Sequence, residues 1–291
     1  MKKKPTHTPY KDGKGGIKIG LETIASSKWL EIDSFFAKEI NNKKSLFIDN
    51  HTQVYQDTPE SIDSQKEVLK LISQNLSTYH PDHYQKAKKN IFFQENLTPL
   101  ESAALLVQED LLIMSRQDKE YFLSAASLCS PSNWSLTEKF NKSLMDVHDD
   151  VPTYSNLIGG KVNHIFINLP NQKIFQRFNW SIYESPDLYQ PAINKRSIKR
   201  AKDINNYNAG EKLFIRVERQ TIRRLAITKS ILFTVRVHIT PLEDIKNDIN
   251  LLKDLNKAIN NLGQSLKKYK SIDQIEEPLT GWLKKAIRHL S

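Results

Sequence analysis

The segment Leu213–Thr240, LFIRVERQTIRRLAITKSILFTVRVHIT, constrains this chain more than any other. Its apolar residues alternate with polar ones as in two consecutive strands. Yet it carries Arg216, Glu218, Arg219, Gln220, Arg223, Arg224 and Arg236. A guanidinium taken out of water needs acceptors, and a lone buried one is costly. Either this sheet lies open to water or its arginines meet anions, and the second case is a site.

Strand alternation sorts the charges. Ile215, Val217 and Arg219 face one way, and Arg216, Glu218 and Gln220 the other. In Ile231–Ile239 an apolar face of Ile231, Phe233, Val235, Val237 and Ile239 opposes Thr234, Arg236 and His238. Ile174–Tyr183 alternates as cleanly, with Phe178, Trp180 and Ile182 against Arg177, Asn179 and Ser181. Val162–Leu169 reads as a further strand. Consecutive strands with short connections favour an antiparallel sheet. Helices before and after it give a single α+β domain.

The helices are read from their starts. Thr58-Pro59 opens one over residues 58–77, with Val68, Leu69, Leu71 and Ile72 as its stripe. Thr98-Pro99-Leu100-Glu101 is a capping box, and its helix is expected to run to about Met114. Glu109 and Asp110 fall on an almost all-round apolar surface there, so both should be paired. Ser135–Glu138 and Thr240–Glu243 repeat the box, the last opening a long helix to about Leu262. Residues 1–16 read as a disordered basic tail, and 276–291 as a basic C-terminal helix.

Composition closes several routes. With 9 glycines among 291 residues, no GxGxxG and no GxxxxGK[ST], a nucleotide fold is poorly supported. The lone Cys129 excludes an internal disulfide and a cluster or zinc ribbon ligated by this chain's cysteines. No apolar run approaches the ~20 residues of a membrane helix, and a reducing cytoplasm is the expected compartment. The net charge of +10 calls for an anionic partner. Nucleic acid is disfavoured, because the clusters at Lys195–Lys202, Lys267–Lys270 and Lys284–Arg288 are not interleaved with aromatics.

No triad or HExxH pattern stands out among the eight histidines. His148, in Leu144–Tyr154 (LMDVHDDVPTY), is the one singled out. A loop histidine beside apolar residues can ligate a metal or haem, and it can equally be a solvated partner of Asp146, Asp149 and Asp150. Cys129 is a thiolate candidate by chemistry and a small buried hydrophobe by habit.

Several segments, in this order, resemble one family. They are Val107-Gln-Glu-Asp-Leu111, Cys129-Ser-Pro-Ser-Asn-Trp134, Val147-His-Asp-Asp-Val-Pro-Thr-Tyr154, Arg177-Phe-Asn-Trp180, Arg216–Leu225 (RVERQTIRRL) and Leu232-Phe-Thr-Val-Arg236. The chain is similar, over residues 17–275, to the haem-dependent oxidative N-demethylase-like family. Ser130, Ala226-Ile227 and Val237-His238 depart from the family's commoner residues. The resemblance implies a haem b protein with a PAS-like core. It implies oxygen-dependent demethylation of a small secondary amine such as dimethylamine, with electrons from NADPH through flavin and an iron–sulfur cluster on a separate reductase. A non-catalytic haem sensor or carrier is the alternative. It further implies His148 as the iron ligand. Arg219, Arg223, Arg236, Arg177 and Trp180 become candidates to hold haem, and Glu218 and Arg216 candidates for chemistry. Arg216 and Glu218 share a face that Arg219 does not, so they cannot all address one ligand on a regular strand. Glu109 and Asp110 are the expected partners for arginines on the other face.

Overall fold

The structure, a computed structural model, describes residues 4–15, 20–92, 95–118, 120–149, 152, 159–191 and 200–291, with only the backbone for 159–163. The alternating segments form the middle of one antiparallel sheet. Its strands are β1 (Glu22–Ile24), β2 (Tyr55–Asp57), β3 (Asp110–Gln117), β4 (Glu120–Ser127), β5 (Ile174–Tyr183), β6 (Phe214–Arg224) and β7 (Ile231–Pro241). Their spatial order is β1-β5-β6-β7-β3-β4-β2. The β6–β7 hairpin pairs from Phe214↔Pro241 to Arg224↔Ile231. Its turn is held from outside: Glu67 accepts from the backbone N–H groups of Ile227 and Thr228, each at 2.9 Å.

The expected strand pairings hold, and the apolar-run assignments between them change. The capping box at Thr98 is present, with Glu101 N–H to Thr98 Oγ1 at 3.2 Å and Thr98 N–H to Glu101 Oε2 at 2.8 Å. Its helix stops at Ala104, however, and Asp110–Gln117 is strand β3. Leu111–Met114 is buried on both faces, so its apolar run carries no period that separates strand from helix. Val162–Leu169 is corrected in the opposite sense, lying in a helix over Gly159–Asn168. Ser135 does not cap by its side chain, and its Oγ meets Thr137 Oγ1 at 2.7 Å. Thr240 is strand, because β7 continues through Pro241; the helix Ile249–Asn260 is capped by Asp248, whose Oδ1 accepts from Leu251 N–H at 3.1 Å.

Each face of the sheet has its own cover. One face, called here the far face, packs Leu111, Ile113, Ala125 and Leu232 against the helices Phe36–Asp49, Ile62–Tyr79 and Pro99–Ala104. Further along the same face, Ile215, Val217 and Trp180 pack against Ile249–Asn260 and the helix Glu276–Leu290. Residues 4–15 join that layer: Tyr10 is fully buried and edge-on to Trp180 at 5.8 Å, so the described part of the expected tail is packed. Gly13 has φ +76, and a Cβ there would stand 2.5 Å from Lys257 Cγ. The near face packs Leu112, Met114, Leu123 and Ile222 under shorter pieces, Leu136, Leu144, Phe166 and Leu169 among them. This thinner cover encloses a cavity.

Candidate active site

The cavity is about 350 Å³, within the ~300–1,000 Å³ range of small-ligand sites. Strands β3–β7 supply its floor through Leu112, Met114, Leu123, Ile222, Phe233 and Val235. The polar part of the floor is a patch of Arg177, Asn179, Ser181, Arg216, Glu218 and Gln220. The opposite wall brings Trp134, Lys139, Leu144, Val147 and His148. Tyr269 and Lys270 close one side.

His148 follows a short helix, Leu144–Val147, capped by Ser143. Its Nδ1 lies 2.9 Å from the carbonyl oxygen of Leu144. A carbonyl only accepts, so Nδ1 carries the proton and Nε2 is the ring's lone-pair nitrogen. Burial pushes the imidazole pKa below its ordinary value, and the Arg177 and Lys139 charges act the same way. A neutral imidazole with one nitrogen tied to a backbone carbonyl is the form that ligates a metal. Asp150, Val151, Thr153 and Tyr154 of the same motif lie outside the described residues.

Glu218 stands in the floor, held by neutral donors. Ser132 Oγ donates to its Oε1, Asn179 Nδ2 to Oε2 at 3.3 Å and Gln220 Nε2 to Oε2 at 2.8 Å. Arg216 lies beside it on the same face and is linked through Ser132, whose Oγ accepts from Arg216 Nε at 2.9 Å. The rest of the Arg216 guanidinium is directed at main-chain carbonyls: Ser130 at 2.8 Å, Pro131 at 3.2 Å, Asp187 at 3.2 Å and Leu188 at 3.0 Å. Asp110 grips the same loop by its other polarity, accepting from Cys129 N–H at 2.9 Å and Ser130 N–H at 2.7 Å. Arg216 thus positions the 129–132 and 187–188 loops over the cavity. Burial raises the Asp110 carboxyl to about 6, against the pull of Lys43 and of those N–H groups.

The remaining candidates divide between the faces. Arg177 lines the cavity. Trp180 borders it, yet its ring packs in the far-face core and its Nε1 donates to Lys14 O at 3.3 Å. Arg219, Arg223 and Arg236 are on the far face, away from the cavity. Arg219 donates to the carbonyls of Trp29 and Lys28 and to Gln176 Oε1. Arg236 pairs with Asp33 at 2.9 Å and Glu39 at 2.8 Å. Arg223 lies 4.5 Å over the Trp29 ring. The expectation that these three hold a cofactor therefore meets a geometric obstacle, since the sheet itself separates them from His148. Glu109 and Asp110 make their hydrogen bonds to main-chain N–H groups and meet the arginines only by charge, Glu109 that of Arg236 and Asp110 that of Arg216; Glu109 Oε2 is buried without a hydrogen-bond partner. Glu109 accepts from Glu31 N–H at 2.9 Å, and Asp110 from the loop N–H groups. Cys129 is buried, and desolvation, with the Asp110 charge, pushes its thiol up to about 12.

Three cavity residues escaped the sequence reading. Ser132 sits in a loop with no periodic signal. Lys139 opens no recognisable motif. Lys270 belongs to a run of lysines that reads as surface, yet it is buried and donates to Asn179 Oδ1 at 2.7 Å and to Trp180 O. Burial lowers its pKa to about 8, partly offset by the nearby Glu218 charge.

Residues 20–280 match the family of the haem-dependent oxidative N-demethylase, alpha subunit-like. The chain belongs to this family. Among the described residues no helix is long and apolar enough to cross a membrane.

Proposed function

We propose that this family member binds haem b in the near-face cavity, where His148 Nε2 would hold its iron, and demethylates a small secondary amine. The observation that carries the reading is the His148 ring, set at the cavity wall with its Nδ1 committed to the Leu144 carbonyl. The donor set fits the group. There is one neutral imidazole, broad apolar surfaces above and below, and the cations Arg177 and Lys139 within electrostatic reach of His148. A flat apolar macrocycle with two carboxylates needs those three things. On this reading Arg177 and Lys139 replace Arg219, Arg223 and Arg236 as the partners of the propionates, and the sheet is a PAS-like core.

Haem bound here supplies oxygen activation and oxidation of the amine's methyl carbon. The chain's own groups do the rest. Glu218 holds an alkylammonium by charge and hydrogen bond, and then accepts its proton. Ser132 and Asn179 fix the carboxylate's orientation. Trp134, Tyr183 and Tyr269 present aromatic surface at the cavity, which suits a small cation. The loops fastened by Arg216 and Asp110 exclude water. Electrons come from a separate NADPH-dependent reductase carrying flavin and an iron–sulfur cluster, docked on the basic surface.

Protein from haem-supplied cells is expected to show a Soret band, and His148→Ala to remove or shift it. A wild-type chain that stays colourless after haem reconstitution would sink the reading. An unchanged spectrum in His148→Ala would move the ligand elsewhere. Oxygen and NADPH consumption with dimethylamine and a supplied reductase then separates turnover from simple haem carriage.

A further inference from the structure

The far face of the sheet carries a cluster for which the cavity has no use. His7, Glu31 and His238 come from three stretches distant in sequence: the N-terminal segment, the loop before the helix Phe36–Asp49, and β7. His7 Nε2 lies 2.9 Å from Glu31 Oε1, and His238 Nε2 lies 2.8 Å from Glu31 Oε2. One ligand atom from each residue falls within 4.8 Å of the other two. The two imidazoles meet edge-on with ring centroids 5.0 Å apart, and Phe178 packs at 4.8 Å from His7. The side chains are partly open, at 22%, 25% and 11% exposure, so an ion can reach them from solvent.

We propose that His7, Glu31 and His238 bind a divalent first-row metal ion, best suited to Zn²⁺, and that the ion fastens the N-terminal segment to the sheet. Two imidazoles and a carboxylate are a known zinc donor set, with water completing the tetrahedron. Bonds of ~2.0–2.1 Å place tetrahedral ligand atoms about 3.3 Å apart. The observed 2.8 and 2.9 Å contacts need only a small side-chain expansion to reach that spacing. Each imidazole addresses a different oxygen of the one carboxylate, so Glu31 joins both histidines and the three ligand atoms stay within 4.8 Å of one another.

The surrounding charges tolerate a dication. Arg219 is the cation beside the cluster, with Nε 3.5 Å from Glu31 Oε1. Its other two nitrogens are directed at the carbonyls of Trp29 and Lys28. Arg236, next along the same face, is matched by Asp33 and Glu39. Behind Glu31 stands the buried Glu109 carboxyl, whose Oε1 holds the Glu31 N–H and so fixes the backbone that carries the central ligand. The site lies on the opposite face of the sheet from His148, so it is independent of the haem reading.

The test uses full-length protein from haem-supplied cells, stripped with a chelator and titrated with Zn²⁺ by calorimetry. Uptake of a single Zn²⁺ per chain is expected, together with slower hydrogen exchange across residues 4–15. His7→Ala and His238→Ala should each weaken binding at least ~10-fold, as loss of a ligand does, and abolish the zinc-dependent protection. His7 lies outside the sheet, so its variant carries the test even where His238→Ala fails to fold. No uptake by the wild-type chain overturns the proposal. So does wild-type-like binding by both variants. Equal protection of residues 4–15 in chelator and in Zn²⁺ overturns it too, and leaves the trio as a hydrogen-bonded pin.

Discussion

The two faces of the central sheet both bury arginine, and they differ in whether carboxylates share in satisfying it. On the near face Arg216 and Arg224 are met mainly by main-chain carbonyls. Arg224 donates to those of Phe166, Ile167, Leu169 and Lys229, and to the Tyr121 hydroxyl. On the far face Arg236 is met by the carboxylates of Asp33 and Glu39, and Arg219 by the carbonyls of Trp29 and Lys28 with the Glu31 carboxylate 3.5 Å from its Nε. A carbonyl-saturated guanidinium organises chain whose acceptors lack main-chain partners: Arg216 collects them from two loops, and Arg224 from the last turn of the helix Gly159–Asn168 and from the β6–β7 turn. A carboxylate-paired guanidinium offsets charge. The near face therefore spends its arginines on the loops around the cavity, and leaves Glu218 among neutral donors. The far face sets carboxylates beside two of its arginines, Asp33 and Glu39 on Arg236 and Glu31 near Arg219.

The sharpest break of this comparison is the pair Arg216→Ala and Arg236→Ala. Removing Arg216 strands four carbonyl acceptors on two loops, the buried ones being those of Ser130 and Pro131. At ~1–3 kcal/mol for each unsatisfied group, partly relieved by water, a loss of about 4 kcal/mol or more is expected. Removing Arg236 leaves Asp33 and Glu39, which at 26% and 12% exposure regain some hydration, so about 2–3 kcal/mol is expected, below the usual cost of breaking a buried pair. Urea unfolding of the two variants decides the order, and a reversed order removes the distinction between the faces.

Lys270 gives the next largest effect and belongs to the near face. Its folded pKa is depressed to about 8 from 10.5 by burial. Between those values the unfolded chain keeps a proton that the folded chain has shed. Stability should therefore rise with pH from about 8 towards 10.5, the burial penalty being fully present below 8. The full rise is up to ~3 kcal/mol for a shift of this size. The slope, measured as the difference between wild type and Lys270→Met across that range, should vanish in the variant. Equal slopes would place the Lys270 ammonium in water.

Glu218→Gln sharpens the comparison on the functional side. The amide keeps the shape and loses the charge, so stability should move by under ~1 kcal/mol. Amine demethylation should fall by ~10²-fold, the lower end of what a positioned acid–base group contributes, equal to about 2.7 kcal/mol. The Soret band should stay. A variant that turns over normally would make Glu218 a structural acceptor for Ser132, Asn179 and Gln220.

What was legible in the sequence follows the same physics. The strands β5, β6 and β7 were readable because alternation is a direct image of a two-faced sheet, and it placed Arg216 with Glu218 and apart from Arg219. β3 was not, since Leu111–Met114 is buried on both faces and shows no period. The capping box at Thr98 gave a true start with its bonds, the one at Ser135 a true start of the short helix Leu136–Lys139 without the side-chain bond, and the one at Thr240 lies in β7. Two residues three positions apart suffice for the motif, but the hydrogen bonds depend on where the chain turns. Anions were the expected partners of the arginines because side chains are what a sequence displays. Carbonyls of Ser130, Asp187 or Phe166 have no signature, and they are brought together only by the fold. Lys270 stayed hidden for the same reason, its acceptors Asn179 and Trp180 being distant in sequence.

Arg223 tests the comparison at its weak end. It lies on the far face, yet neither carbonyl nor carboxylate takes its Nε, a buried atom with no hydrogen-bond partner. Its guanidinium stacks 4.5 Å over Trp29, a fully buried ring whose Nε1 donates to Thr221 Oγ1 at 3.1 Å. Glu67 adds a distant opposite charge. Arg223→Met keeps an unbranched stem on the ring and removes both the cation–π attraction and the unsatisfied Nε. The gain and the loss are each of order 1 kcal/mol, so thermal or urea unfolding should show a net change under ~1 kcal/mol, of either sign. A cost comparable with Arg216→Ala would mean that stacking on Trp29 anchors the N-terminal loop as strongly as carbonyl saturation anchors the cavity loops. The difference between the faces would then lie in which loops are held and no longer in how.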